Sequence, residues 1–529
     1  MAIIGSPAGR PAAAERRRWL ILAVLCLSVL LVAMDNTIVN VALPTLNRRL
    51  GATTSQLQWV VDIYSVCFAG LLLFCGNIGD RVGRKRILQL GLVLFAIASF
   101  SAARSGTVNE LIAARAAMGV AVALMYPSTL ALLTAVFTNR QEKAIAVGVW
   151  SGVSGLAIAL GPVIGGALLE RFWWGSIFMV NLPVVAVALG LGAVLLPESR
   201  DPAPGRFDPV GALLSVALVG LAIWTVIEAP DRGWTDAVTL TGFAGSAGLA
   251  VAFGLWERSR PDPLLDIRFF RNPRFSAGSA AISLAFFGLF GFIFSITMYF
   301  QLVRGYSTLK AGAATLPYAA VMAVFSPLAI VIMKKTGTKV VVAGGMLSMS
   351  AGFFVVADAA LNADYWHVVV PAMVLMAAGM ALATGPATDA ILAALPESKA
   401  GVGSAVNDTT REFGGALGVA VVGSVLSWAY GSHLADRWRS LGIGPEAVRQ
   451  GRASLGAGLQ TGAHLPSQVA GPALQAARTS FMSGLHVGSL TVALSSLVAA
   501  VAALVFLPPR DLARPPEALK HPELDTTPK

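Results

Sequence analysis

Charge is scarce in this chain. Only 13% of its 529 residues are Asp, Glu, Lys or Arg, about half the share usual in a soluble globular domain, which argues against an ordinary water-exposed fold. Cysteine is nearly absent. Cys26, Cys67 and Cys75 all fall in apolar stretches, so no disulfide framework is implied. No Gly-Lys dipeptide occurs, which removes a phosphate-binding P-loop. The five histidines form no His/Glu zinc pattern, and no nucleophile elbow exists. An ATPase or hydrolase is therefore not expected, nor is a metal or organic cofactor. Acid is scarcer than base, with 28 Asp and Glu against 39 Lys and Arg. The basic residues sit in short clusters between apolar runs rather than in one stripe. That pattern fits loops facing anionic lipid better than nucleic acid, so no nucleic-acid partner is expected.

What the chain has is apolar length: 56% of it is hydrophobic and mean hydropathy is +0.71. A run of roughly 20 apolar residues crosses the hydrocarbon as a helix. Fourteen such runs are expected, at about 19–44, 57–78, 87–103, 110–136, 144–168, 175–197, 209–228, 238–256, 276–303, 312–333, 340–360, 367–394, 401–429 and 482–507. The least certain pair is 209–228 with 238–256, which also reads as two interfacial helices. Arg17 and Arg18 before the first run mimic a signal peptide, but no small-residue cleavage site follows, so an uncleaved first helix is expected. With the N-terminus placed in the cytoplasm, inner connections hold 25 of the 39 Lys and Arg and outer ones hold 12, with Arg115 and Arg411 inside spans. This asymmetry supports an even number of spans with both termini cytoplasmic.

The fold class expected is an all-α polytopic membrane protein with two six-helix halves and an inserted helix pair. The corresponding units are 1–200, 201–274 (the pair with its linkers, including the Pro-rich 201–208), 275–507, and a tail at 508–529. An internal echo links the halves. Gly83 precedes Gly91 by eight residues and Gly337 precedes Gly345 by eight, with Arg81 and Lys85 matched by Lys335 and Lys339. Lys334 stands where Asp80 stands in the first copy. Residues 430–481 are rich in Gly, Ala and Ser without clear periodicity, and a mobile extracellular loop is expected there.

One short stretch stands out between the second and third runs: GNIGDRVGRKR, residues 76–86. It fits G-x-L-[AG]-D-[RK]-x-G-[RK]-[RK] through Gly76, Asp80, Arg81, Gly83, Arg84 and Lys85, with Ile78 in place of Leu. This resembles the loop signature of the major facilitator superfamily. The resemblance implies a cytoplasmic latch between halves, made and broken as access alternates. A plain positive-inside loop is the alternative. Further stretches resemble the fourteen-helix drug:proton antiporter branch. MDNTIVNVALPTL (34–46) ends the first run, and Arg115 with Gly119 supplies an R-x-x-x-G in the fourth. Met118 stands there where a glutamine is common. Gly161, Pro162, Gly165 and Gly166 match the G-P-x-x-G-G associated with antiporters, where proline removes a helix hydrogen bond and small residues let helices touch. YFQLVRGYSTLKAG (299–312) and AGVGSAVNDTTREFGGALGVA (400–420) are similar to the same branch.

Ionisable groups inside spans are costly, roughly 2.5–3.5 kcal/mol each at a helix centre on insertion scales, so they are the leading functional candidates. Asp35 and Arg115 fall at similar depth in the outer half, where the geometry allows a pair. Asp35 is the candidate for binding the coupling proton or a cation, with Arg115 tuning it; a purely structural ion pair is the alternative. Asp62 stands where related proteins commonly have a neutral residue. It is expected near the outer mouth, where it attracts cations or is simply a solvated helix end. Asp408 and Arg411 share a helix face beside Glu412, giving either self-pairing or a second carboxylate for a proton or drug. Gln58, Tyr64, Tyr126, Met298 and Tyr299 are candidates for a substrate pocket, with Trp59 and Trp224 behind them. Glu228, Asp358 and Asp389 are expected at interfaces, and His486 as a packed histidine or a protonation site. Together these features imply proton-coupled export of amphipathic, cationic small molecules from a bacterium, with the proton gradient as the energy source. Thirty arginines against nine lysines fit a GC-rich genome. An exporter of an endogenous lipid or metabolite shares the same features, a nutrient importer fewer of them. The partners expected are the transported molecule, protons and membrane lipid; the sequence is compatible with a monomer.

Overall fold

The computed structural model describes residues 11–200, 207–261, 263–395 and 400–507. Most of the expected 201–208 linker and the whole 508–529 tail lie outside the described residues. Fourteen helical stretches are long and apolar enough to cross a membrane, the number expected from the runs, and no strand occurs among the described residues.

The first group of spans is α1 (Pro11–Leu50), α2 (Thr54–Val82), α3 (Arg84–Ala103), α4 (Val108–Val136), α5 (Arg140–Arg171), and a pair broken at Val180, α6 (Ser176–Met179) and α7 (Asn181–Leu195). Two helices follow, α8 (Pro209–Arg232) and α9 (Ala237–Ser259). At 24 and 23 residues each is about 35 Å long, enough to span. The second group begins with α10 (Pro273–Met298), α11 (Thr308–Ala313) with α12 (Leu316–Thr336), and α13 (Thr338–Ala357). It continues through α14 (Val370–Ala393) and α15 (Ala400–Ser440) to α16 (Pro445–Arg452), α17 (Leu455–Ala463) and α18 (Ser467–Phe506). The face where α1 starts and α18 ends is called the terminal face below; the opposite one is the distal face.

The segment expected to be an irregular loop, 430–481, is helical instead. The helix α15 runs for 41 residues and α18 for 40, about 60 Å each against a hydrocarbon thickness of about 30 Å. Both project beyond the distal face, joined by α16 and α17. Composition hid this because the stabilising contacts pair two aromatic residues with many small ones. Trp438 is fully buried and donates its indole N–H to the Ala473 carbonyl at 3.1 Å. A Cβ on Gly451 would lie 2.6 Å from the Trp438 ring. The Tyr430 hydroxyl donates towards the carbonyls of Gly451 and Ser454.

That projection closes the distal face across the two groups. Asn47, at the distal end of α1, donates to Ser454 Oγ at 2.7 Å, and the Thr54 amide and hydroxyl both donate to the Ala453 carbonyl at 3.1 Å. One turn further in, the Gln58 amide donates to the Ala420 carbonyl at 2.9 Å and to Ser424 Oγ at 3.2 Å on α15. Gln301 donates to the Val41 carbonyl, and Thr308 to that of Gly166. All of these bonds lie towards the distal face. Towards the terminal face, added Cβ atoms on Gly148, Gly152 and Gly155 of α5 would meet nothing within 4 Å. The inserted α8 packs on the outside of the α2–α15 seam through Val66, Val219, Ile223, Val226, Ala416 and Ala420.

The internal echo has a backbone counterpart. Gly83 ends α2 at φ 125° and Gly337 ends α12 at φ 90°, conformations that side chains other than hydrogen resist. Each glycine amide donates to a carbonyl four residues back, and each carbonyl accepts from four residues ahead. A Cβ at Gly83 would also press on the Glu198 carboxylate at 2.5 Å. Gly83→Ala is expected to destabilise the purified protein by about 1 kcal/mol or more. Gly190→Ala, where nothing lies within 4 Å, should be neutral or mildly stabilising. Equal melting temperatures for the two variants would show that the turn carries no such constraint.

Candidate functional site

The site begins with two charges that share no water. Asp35 lies deep in α1 and Arg115 in α4, and both are fully buried. Arg115 Nη1 donates to Asp35 Oδ2 at 2.5 Å. Desolvating two ions costs several kcal/mol each, and their attraction offsets it only when geometry is good and the remaining donors and acceptors are satisfied. Most of them are. Arg115 Nε donates to the Val60 carbonyl at 3.0 Å, and the guanidinium sits 4.2 Å above the Tyr64 ring. The other carboxylate oxygen, Asp35 Oδ1, accepts from the Asn181 amide at 2.9 Å. Asn181 also donates to Ser99 Oγ at 3.1 Å, whose hydroxyl donates to the Phe178 carbonyl. Six helices, α1, α2, α3, α4, α6 and α7, are therefore tied together around one carboxylate.

The sequence brought Asp35, Arg115 and Tyr64 into view; it missed Asn181 and Ser99. A search confined to ionisable groups passes over amides, although an Asn in the apolar run FMVNLPVV is itself a signal of a buried polar contact.

The glycines of the G-P-x-x-G-G stretch explain how α5 approaches this helix. A Cβ on Gly161 would collide with Thr37 Oγ1 and lie 3.1 Å from the Met34 carbonyl, and one on Gly165 would lie 2.7 Å from Ile38. Met34 directly precedes Asp35. Gly166 faces the other group, 2.5 Å from the Thr308 carbonyl by the same measure, and Gly312 of α11 packs on the Pro162 carbonyl. The helix α5 is continuous through Pro162.

A second polar cluster lies where α2 meets α15. Ser65 donates to Glu412 Oε2 at 3.3 Å across the two groups. Asp408 pairs with Arg411 at 3.5 Å, as their i,i+3 spacing suggested, and Arg411 sits 4.8 Å from the Phe286 ring centre. Tyr126 completes an aromatic patch with Phe68 and Trp150, each about 5.4 Å away.

Asp62 is not at an outer mouth. It is fully buried and neither carboxylate oxygen has a partner. The reason is local: α2 begins at Thr54 behind a Thr53/Gln56 capping box, so Asp62 sits two turns inside the helix. There α15 and α8 cover α2, and the distal helices close the end.

The remaining candidates scatter. Met298 lies under the distal helices with Asn47, Thr54 and Tyr430, while Tyr299 lies beside Phe292 and Val356 within the second group. Trp59 packs on the α8 cluster, and Arg232 stacks on Trp224 while pairing with Glu228. Asp358 ends α13, Asp389 is exposed, and His486, exposed rather than packed, brings its ring to the Ala357 carbonyl at 2.8 Å.

At the terminal face, Asp80, Arg84, Lys85 and Arg86 of the 76–86 stretch are tied within their own group, while Arg81 stacks on Phe207 ahead of α8. Asp80 pairs with Arg84 at 2.8 Å, and Arg84 also bonds Ser199 through its side chain and its amide. Glu198 accepts from the Lys85 amide at the start of α3 and pairs with Arg86 at 3.5 Å, while Lys85 Nζ donates to the Ala193 carbonyl. Glu198, rather than Asp80, thus caps α3.

The family model of the Major Facilitator Superfamily matches residues 25–419. The chain belongs to that superfamily. It is 36% identical over 490 residues to the multidrug efflux pump LfrA of Mycolicibacterium smegmatis, covering 92% of this chain and 96% of the relative. It is 34% identical over 483 residues to the methyl viologen resistance protein SmvA of Salmonella typhimurium, covering 91% and 95%. It is 33% identical over 525 residues to the tetracenomycin C resistance and export protein of Streptomyces glaucescens, covering 97% and 96%. Among solved structures, it superposes with a TM-score of 0.63 on a bacterial homolog of the human lysosomal transporter Spinster, inward-facing and unoccupied. That match covers 94% and 98% of the two chains at 17% identity. A D-xylose-proton symporter gives 0.58 at 16% identity, covering 93% and 98%. At such identities these structures speak for the fold alone.

An unpartnered buried carboxyl is a cost to the folded state. Asp62→Asn should therefore raise the melting temperature of the purified superfamily member at pH 8, by an amount equivalent to about 1 kcal/mol or more. A melting temperature lowered by the same amount would mean that the carboxylate is stabilising after all.

Proposed function

We propose that the chain is a proton-coupled exporter of amphipathic, cationic compounds, working in the plasma membrane of a bacterium with both termini in the cytoplasm. The terminal face is then cytoplasmic, and the arrangement, closed distally and parted towards that face, is an inward-open stage of alternating access. The observation that carries the reading is the buried Asp35–Arg115 pair. It is the most fully enclosed ion pair among the described residues, with both side chains at 0% exposure, and Gly161 of α5 packs within one residue of it. A proton arriving at Asp35 weakens its hold on Arg115 and so changes packing at the helix that bridges the two groups. The relatives' names, which speak of multidrug efflux, methyl viologen resistance and tetracenomycin C export, support small-molecule export as the use of that switch.

The energetics suffice. Each charge crossing 100 mV yields roughly 2.3 kcal/mol, and about 1.4 kcal/mol supports a tenfold gradient, so one proton sustains a gradient of roughly fifty-fold. No catalytic chemistry, metal or cofactor is invoked. Asp408, Glu412 and Tyr126 lie where a cation entering from the terminal face would pass, with two carboxyls and an aromatic patch to receive it. The 76–86 stretch serves as the latch of the cytoplasmic side, with Asp80, Arg84, Lys85 and Arg86 fastened to their own half at this stage. A narrow exporter of an endogenous metabolite is the second reading, favoured by a relative named for tetracenomycin C resistance and export.

Ethidium extrusion from energised cells tests the proposal. Wild type should extrude the dye, and either a protonophore or Asp35→Asn should reduce the rate at least tenfold at equal membrane expression. Full extrusion by Asp35→Asn would sink the role of Asp35. No extrusion by well-inserted wild type would move the substrate to a narrow endogenous compound.

A further inference from the structure

We infer that Asn181 is the positioning residue that accommodates Asp35 in both of its protonation states, donating to the carboxylate and, after its amide turns over, accepting from the carboxylic acid. This rests on the reading that Asp35 exchanges the coupling proton. Three observations lead to it. First, the Asn181 side chain is fully buried and both of its N–H groups are used: one on Asp35 Oδ1 at 2.9 Å and one on Ser99 Oγ at 3.1 Å. Second, its carbonyl oxygen is enclosed and has no partner. A buried acceptor left unmade is costly, and native structures retain one only for a reason. Third, Asn181 begins α7 where Val180, itself in the helical region, joins it to α6, which sets its side chain level with Asp35 and Ser99.

The two protonation states make opposite demands. As an anion, Asp35 needs one donor at each oxygen and has them, Arg115 on Oδ2 and Asn181 on Oδ1. When a proton adds to Oδ1, that oxygen becomes a donor and faces an N–H, an unfavourable encounter in a dry site. Rotating the amide by half a turn exchanges its nitrogen for the idle oxygen and restores the bond to Asp35, at the cost of the bond to Ser99 Oγ. Only one proton moves, from water to Asp35 and later back to water; Asn181 changes orientation, not protonation. No other neighbour can do this. The charged or titratable groups facing Asp35 are Arg115 from α4, which only donates, and Tyr64 from α2, whose hydroxyl is directed to the Val32 carbonyl. The helix α3 brings the neutral Ser99, which touches Asn181 rather than Asp35, and α5 brings glycines. An amide is the one side chain of this size that offers a donor and an acceptor on interchangeable atoms.

The test uses the full-length protein in proteoliposomes, with drug-driven proton exchange followed as a function of pH, and a melting temperature for every variant. In Asn181→Leu the anion loses one of its two donors, which favours the protonated form, so the half-point of the pH profile should move up by about one unit. Asn181→Asp should move it up at least as far, because two adjacent carboxyls cannot both ionise. Asn181→Gln, which keeps both functions, should return most of the wild-type profile. The double variant Asp35→Asn with Asn181→Asp, which exchanges acid and amide, should regain a pH-dependent step that Asp35→Asn alone lacks. Infrared difference spectra should show the carboxylic acid C=O band that vanishes in Asp35→Asn shifted in Asn181→Leu. If Asn181→Leu and Asn181→Asp keep the wild-type half-point, or merely lower the rate equally at every pH along with the melting temperature, the assignment is wrong and Asn181 is a packing residue. Should wild type itself show no proton dependence, or Asp35→Asn keep it in full, the underlying transport reading fails instead, a distinct outcome.

Discussion

The structure depends on keeping one ion pair out of water. Removing either partner of a buried pair strands the other charge, at about 3–5 kcal/mol, a large part of the stability of any fold. That constraint fixes α1 against α4 through the pair itself, α2 through the Val60 carbonyl and the Tyr64 ring, and α7 through Asn181. The first group of helices is thereby held in one register around Asp35. A pair held so tightly is a poor choice for mere adhesion, since well-packed apolar side chains of similar volume do as well or better. What it offers is a state that a single proton can change.

Such a change matters only if it is felt elsewhere, and the path is short. Gly161 and Gly165 bring α5 onto α1 with backbone and short side-chain contact around residues 34–38, while Gly166 and Pro162 bring the same helix onto α11 of the other group. No long side chain cushions either contact. Close-packed interfaces shift between arrangements rather than deforming smoothly, so a movement of α1 reaches the second group through one rigid element. On the opposite flank, Gln58 holds α2 to α15, and α8 lies across that seam. The inserted α8 therefore covers a junction between the two groups.

Architecture was legible in the sequence because the bilayer imposes a length on every apolar run, and the fourteen runs matched fourteen helices. The meeting of Asp35 with Arg115 was legible for a similar reason: depth follows from counting residues, and two opposite charges at one depth have few other partners. Asp62 was misread because a position near the start of a run was taken as a position near water. The covering elements, α15, α8 and the distal helices, are remote in sequence. The distal helices were missed because their stability comes from Trp438 and Tyr430 set into Gly and Ala, a tertiary arrangement with little periodic trace. Asn181 was overlooked because a neutral amide leaves no mark on a map of charges.

The two halves show how a repeated backbone comes to serve different ends. Gly83 and Gly337 occupy matching turns with matching hydrogen bonds, so the geometry of the connection is common to both. The charges are not. Asp80 pairs with Arg84 in the first copy, whereas Lys334 occupies the corresponding place in the second and cannot make that pair. Inside the membrane the division is sharper. In the first half the buried acids lie on separate helices, Asp35 on α1 and Asp62 on α2, with Arg115 supplied by α4. In the second, Asp408, Arg411 and Glu412 crowd one stretch of α15, which is partly open and is hydrogen-bonded to the first half through Ser65. A dry, fully partnered carboxylate suits a proton, which needs no room. A cluster with exposed edges beside Phe286 and Tyr126 suits a bulky cation, which does. Repetition supplies two halves that can rock against each other, and the unequal placement of charge gives them different work to do.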